Sequence, residues 1–338
     1  MLRRLLLCAA LVLPQSAATQ PVPNIISEAV ETHILPRYAA LVADTAAMAS
    51  VTQEACLPGD PEFEAAFHAA FDAWIDVSHI TFGPVETDGR YFALSFWPDT
   101  RGMTGRSLTG LIADEDAAVA DPAEYATVSV AARGFYALEF LLYNPEVSSM
   151  GNPAYRCALA QAIATDIAAT SQLIHDQWLS EFAPLMLSAG SNERFQSPDE
   201  AMRVLFGALT TGLEFTADLR LGRPLGSFEA PRPNRAEARR SGRSARHVDR
   251  SLQALADLAR ILSQTDPELQ SDIDAQFSSA VERLRALEEP TFAAVADPQG
   301  RIRIEVLQQR IQDVRALIAT QLGPSLGVAA GFNSLDGD

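Results

Sequence analysis

A single carboxylate stands inside an otherwise apolar stretch. In Gly134-Phe135-Tyr136-Ala137-Leu138-Glu139-Phe140-Leu141-Leu142-Tyr143, Glu139 is the one acid among aliphatic and aromatic neighbours. Steps of three and four through Tyr125, Val128, Ala132, Phe135, Glu139 and Leu142 place it on the face of a helix that should turn to the core. A buried ionised carboxylate without a partner is costly, so an arginine, a metal ion or a raised pKa must resolve the conflict. A structural ion pair is the plain resolution and a ligand site the functional one. Tyr136, three residues earlier on the same side, is placed to bring its phenol beside that carboxylate.

Arginine is the second chemical signal. All 26 basic residues are arginine and none is lysine, which excludes Schiff-base and P-loop lysine chemistry. Nine of them fall between Arg220 and Arg250, although 43 acidic residues give the chain a net charge of −17. That balance excludes nucleic acid as a partner, because phosphate binding needs a dominant basic surface. Arg239 and Arg243, with Arg101 and Arg106 from an earlier loop, are expected to converge on an anion or on Glu139 and Glu214 between two bundles; solvated loop arginines are the alternative for most of the run. Glu214 enters because Leu213-Glu214-Phe215 echoes Leu138-Glu139-Phe140. His33 is the histidine best placed to join the site and His79 the next, whereas His68, His175 and His247 read as ordinary surface or bundle residues. No His-Glu-x-x-His, Gly-x-Ser-x-Gly, Cys-x-x-Cys or dinucleotide glycine fingerprint is present.

The elements that must position these residues are helical. A capping residue followed by proline recurs at Asp60-Pro61, Asp121-Pro122, Asn152-Pro153, Ser197-Pro198, Asp266-Pro267 and Asp297-Pro298, each a helix start. Apolar stripes such as Ile304, Leu307, Ile311, Val314, Ile318 and Leu322 step by three and four, and no alternating run marks a sheet. The pattern predicts helices over about 24–50, 61–82, 107–118, 122–143, 153–189, 198–221, 245–263, 267–289 and 301–322. Pro36 and Pro184 should kink or break theirs. The expected fold is all-α: two packed antiparallel helical-bundle domains, residues 19–190 and 191–338, with long connecting loops at about 83–106 and 222–244. A length of 338 residues suits two domains.

The start of the chain has the three parts of a secretory signal: Arg3 and Arg4, the apolar run Leu5 to Leu13, and small residues at Ser16-Ala17-Ala18. Residues 1–18 are read as a signal peptide cleaved near Ala18, with the mature protein in the periplasm. The apolar run is about half of the roughly 20 residues a spanning helix needs, and no transmembrane segment is expected after it. Cys8 lies too early in the run for lipidation, and its removal leaves Cys56 and Cys157. In an oxidising compartment that even pair reads as a disulfide, the alternative being two buried thiols.

The Gly134 to Glu139 segment resembles the Gly-x-His-x-x-Glu motif of the imelysin family, with Tyr136 in the place of the histidine. Phe96-Trp97-Pro98-Asp99 with Arg101 and Arg106, the run Arg235-Ala236-Glu237-Ala238-Arg239-Arg240-Ser241-Gly242-Arg243-Ser244 and the ending from Gly327 to Asp338 add to the likeness, which covers nearly the whole mature chain and is greatest to a branch described as predicted periplasmic lipoproteins. The resemblance implies an exported two-bundle protein linked to iron uptake, with a site between the bundles. It implies iron as the metal, with Glu139, Tyr136 and His33 as its ligands, or a small anionic ligand, and a periplasmic iron-uptake protein as a partner. Phenolate and carboxylate are hard oxygen donors that suit ferric iron; a neutral Tyr136 that only donates a hydrogen bond is the alternative. Tyr in place of His weakens the family's metallopeptidase reading, so a binding module is preferred to an enzyme. A third reading is a metal-free scaffold that docks a protein.

Overall fold

The computed structural model describes residues 22–328, and among them there are helices and no strand. The expected signal segment with Cys8, its expected cleavage near Ala18 and the ending from Ala329 onward lie outside the described residues. Helix α1 spans residues 22–51, α2 Pro61–Val77, α3 Met103–Asp114, α4 Gly134–Tyr143 and α5 residues 153–187. Helix α6 spans residues 198–225, α7 Ser244–Leu262, α8 Pro267–Arg285 and α9 residues 298–325.

The capping residues act as the sequence implies. Asp60, Asp121, Asn152, Asp266 and Asp297 each accept a backbone N–H of the first turn, while Ser197 starts α6 without a side-chain cap. Of the expected kink or break at Pro36 and Pro184, the break does not occur. Pro36 and Pro184 do not break α1 and α5, because a π-helical turn precedes each, at Ala29–Ile34 and Trp178–Phe182. Pro224 and Pro324 follow the same arrangement after Phe215–Leu221 and Ile318–Leu322. Proline removes one N–H and crowds the carbonyl four residues back, and the wider turn makes room for both defects.

Helices α1, α2, α4 and α5 pack on one another, as do α6, α7, α8 and α9. The two groups meet where α7 lies along α2 and where the start of α1 reaches α6. Ion pairs line that contact: Arg37 reaches Asp257 at 2.7 Å, Arg243 and Arg246 share Asp72, and Arg250 pairs with Asp76. The Cys56–Cys157 disulfide is formed, tying the turn after α1 to the start of α5. Its sequence separation of 101 residues corresponds to about 4–5 kcal/mol in the chain-entropy view. The apolar helix α5 is long enough to cross a membrane by composition, yet Leu159, Ile163, Ile167, Ile174 and Trp178 are buried in the core.

The expected helix over 122–143 is interrupted. A short turn at Pro122–Tyr125 gives way to an irregular stretch, and α4 starts only at Gly134. Gly134 has φ +74, and a Cβ there would stand 2.3 Å from the Ala93 carbonyl oxygen and 2.4 Å from that of Leu94. Glycine therefore lets the start of α4 sit directly against the backbone of the 90–94 turn. The three-four spacing from Tyr125 to Leu142 is nonetheless inward-facing, since Tyr125, Ala132, Phe135 and Leu142 are all buried.

Gly134→Ala should destabilise the fold by about 3 kcal/mol or more, combining backbone strain with a steric clash. Gly110→Ala, where a Cβ meets nothing within 4 Å, should gain about 0.5–1 kcal/mol from helix propensity. Chemical denaturation of both variants checks the contrast; equal effects would contradict it.

Candidate functional site

Helix α4 presents Glu139 and Tyr136 to a cavity of about 160 Å³. The other walls come from the two long loops singled out in the sequence: Phe96, Trp97 and Asp99 from the first, and Arg223, Arg235 and Arg240 from α6 and the second. A cis bond joins Trp97 to Pro98. Trp97 stacks on Tyr136 with ring centroids 6.3 Å apart, and two guanidiniums lie over aromatic rings, Arg223 over Trp97 at 5.6 Å and Arg240 over Phe140 at 3.7 Å. The cavity is thus aromatic in its walls and cationic at its polar points.

Glu139 is buried, as its place in the apolar run requires, with 1% of its surface exposed. Among the described residues no arginine forms a salt bridge to it. Its Oε1 accepts the Ser241 N–H at 3.1 Å and the Ser241 hydroxyl at 3.0 Å, so the carboxylate holds the turn of the second loop. Burial raises its pKa, opposed by the Ser241 N–H and by the charge of Arg240.

Tyr136 does not turn to Glu139. Its hydroxyl donates to Glu237, a fully buried carboxylate of the second loop. Arg220 donates Nε–H to the other Glu237 oxygen at 2.7 Å, and His247 Nδ1 lies 3.2 Å from that same oxygen. Arg243 Nε–H donates to His247 Nε2 at 3.2 Å, which leaves the imidazole proton on Nδ1, facing Glu237. Burial alone would raise the Glu237 pKa, but the Arg220 charge, His247 and the Tyr136 hydroxyl outweigh it and hold it at about 2. Burial and the neighbouring Glu237 charge push the Tyr136 phenol well above its usual range, so it stays neutral. The network continues through Arg220 to Ser251 at 2.9 Å and through Arg243 to Asp72 and to His68 at 2.9 Å, which Tyr143 also touches at 3.1 Å.

The remaining residues expected at the site lie elsewhere. His33 Nε2 meets His79 Nε2 at 2.8 Å, both rings buried. Burial is the first cause that lowers both pKa values, His79 to about 3. Glu214 pairs with Arg315 at 2.6 Å on α9. Arg239 braces its own loop through the Asn234 carbonyl at 3.1 Å, and Arg243 belongs to the ion pairs between α2 and α7. Arg101 and Arg106 are exposed, Arg106 reaching the Met103 sulfur at 2.8 Å. The arginines at the cavity are therefore Arg223, Arg235 and Arg240, which a run of nine gives no means of selecting. Nor did anything in the sequence mark Glu237, His68 or His247 beyond one acid within an arginine-rich segment.

The structure gives Glu139, Tyr136 and His33 separate partners rather than gathering them at one point. The neutral phenol donates its hydrogen bond to Glu237, the carboxylate accepts from Ser241, and the imidazole faces His79. Among the described residues no three His, Cys, Asp or Glu side chains gather as metal ligands.

Removing the Glu237 charge strands Arg220, and Glu237→Gln should cost about 3–5 kcal/mol. Stability should also fall with acid. Glu237 is depressed from 4.5 to about 2 in the fold, so its contribution is full above 4.5 and is lost as pH falls toward 2. His247 and His79 drop from 6.5 to about 4 and about 3; the unfolded chain takes up their protons first, so stability declines below 6.5 as well. Urea midpoints measured from neutral pH to pH 3 should decrease throughout; a flat profile would contradict the network.

The family model for imelysin matches residues 34–318. Iron-regulated protein A of Synechococcus elongatus is 25% identical over 280 residues, covering 77% of this chain and 73% of that protein. The crystal structure of an imelysin-like protein from Psychrobacter arcticum superposes with a TM-score of 0.77 at 18% identity, over 95% of this chain and 100% of that one. A putative iron-regulated protein A precursor from Parabacteroides distasonis gives 0.71 at 14% identity, over 90% and 97%. These structures share the fold, and the sequence match over most of the chain decides the rest: the protein belongs to the imelysin family.

Proposed function

We propose that this chain is a binding module that holds a small anionic ligand between α4 and the two long loops. The observation that carries the reading is a set of guanidiniums gathered at one cavity without a salt bridge. Arg223, Arg235 and Arg240 line one cavity, and among the described residues none of them forms a salt bridge with a carboxylate. Arg223 Nε is buried with no hydrogen-bond partner at all, and burial, then the charge of Arg235, lowers the Arg223 pKa. An unsatisfied buried donor is expensive unless a ligand completes it.

Burial lowers the Arg240 pKa; the two acids in the wall act on its guanidinium only through their charge, which opposes that shift, and among the described residues they make no salt bridge to it. Asp99 gives its oxygens to the backbone N–H groups of Arg101, Met103 and Thr104 at 3.2, 2.9 and 2.8 Å, capping α3. Glu139 is engaged by Ser241. A volume of about 160 Å³ favours a small ligand over one that needs the several hundred Å³ of a drug-sized pocket. The name of the Synechococcus relative, Iron-regulated protein A, supports a place in iron acquisition. We take the cargo to be an anionic species of that setting, such as a chelate held through its own ligands, rather than a bare ferric ion. Periplasmic location and an iron-uptake protein that receives the cargo belong to the same proposal.

Calorimetric titration with succinate and with inorganic phosphate tests it. Saturable binding should weaken about 10–100-fold in Arg235→Gln or Arg240→Gln, the loss expected for one charge-assisted hydrogen bond, and should weaken with added salt. Absence of saturable anion binding, or tight binding of ferric ion that the arginine replacements leave unchanged, would overturn it.

A further inference from the structure

The charges of the cavity wall specify more than an anion. Guanidiniums can only donate hydrogen bonds, and an ionised carboxylate can only accept them. Arg223, Arg235 and Arg240 therefore call for acceptors on the ligand, while Glu139, 1% exposed and in the same wall, calls for a donor. The protein supplies part of that donor demand through Ser241, whose N–H and hydroxyl both go to Oε1. A ligand made of carboxylates alone would set its negative charge against Glu139 as it displaces water from the cavity, leaving the carboxylate less solvated than before.

We propose that the ligand is a hydroxycarboxylate, with its carboxylates on Arg223, Arg235 and Arg240 and its hydroxyl donating to Glu139. The inference rests on the anion-binding reading above. A hydroxyl fits better than an ammonium group, because three guanidiniums repel a cation more than one carboxylate attracts it. Tyr136 is not a competing partner for the hydroxyl's acceptor role, since its proton is committed to Glu237.

Three four-carbon dicarboxylates that differ only at one carbon test the assignment: malate with hydroxyl, succinate with hydrogen and aspartate with ammonium. Titrated into the mature protein, one malate enantiomer should bind at least tenfold more tightly than succinate, and aspartate no more tightly than succinate. Glu139→Gln keeps an oxygen for Ser241 but places an amide NH₂ in the wall, and should reduce the malate preference to threefold or less. Arg240→Gln should weaken malate and succinate alike and leave their ratio unchanged. Equal saturable binding of malate and succinate would overturn the hydroxyl assignment while the anion site stands. A preference that survives in folded Glu139→Gln would overturn the role of Glu139; if that variant does not fold, the ratio in the unmodified protein decides. Failure of all three compounds to bind would remove the anion site and this inference with it.

Discussion

The structure depends on one buried carboxylate, that of Glu237. It lies in a loop, yet α4 gives it the Tyr136 hydroxyl, α6 gives it Arg220, and α7 gives it His247. An ion in the interior persists only where charge and hydrogen bonds replace the water it has lost, and here each replacement comes from a different helix. The loop from 226 to 243 is consequently fixed against both helical groups, with Ser244 at its end donating to the Glu237 carbonyl at 2.6 Å. Glu139 fixes the same loop a second time through Ser241. With two carboxylates holding the loop, Arg235 and Arg240 line the cavity without a salt bridge among the described residues.

This division of labour accounts for the arginine run in an acidic protein. Arg220, Arg243, Arg246 and Arg250 meet buried or half-buried acids and join the bundles. Arg223, Arg235 and Arg240 meet aromatic rings and empty space. The first set contributes to the fold, where losing one partner leaves a charge stranded; the second is the one we propose pairs with a ligand on binding. Tyr136 in place of the family's histidine fits this arrangement: a phenol donates one strong hydrogen bond to Glu237 and remains neutral.

Much of the fold was legible because its signals are local. Capping residues followed by proline mark helix starts within a residue or two, and Cys56 and Cys157 form the expected disulfide. Burial of Glu139 followed from its apolar neighbours. Other features rest on contacts far apart in sequence. Gly134 ends the apparent helix because the backbone at Ala93 and Leu94 passes within reach of a side chain it lacks, and that approach leaves no periodic trace. His33 and His79 find each other across 46 residues, and Tyr136 and Glu237 across 101. A three-residue offset on a helix suggested that Tyr136 and Glu139 share one partner; the rings and loops around them send the phenol and the carboxylate to different ones.

The account stands on the claim that a small anion is held between residues 95–102 and 226–243. Amide hydrogen exchange of the mature protein with and without saturating dicarboxylate measures this directly. The account predicts slower exchange in those two segments and at the start of α4, with α8 and α9 unchanged. Exchange that is unaltered in both loops, or slowed only on the far helices, would contradict it.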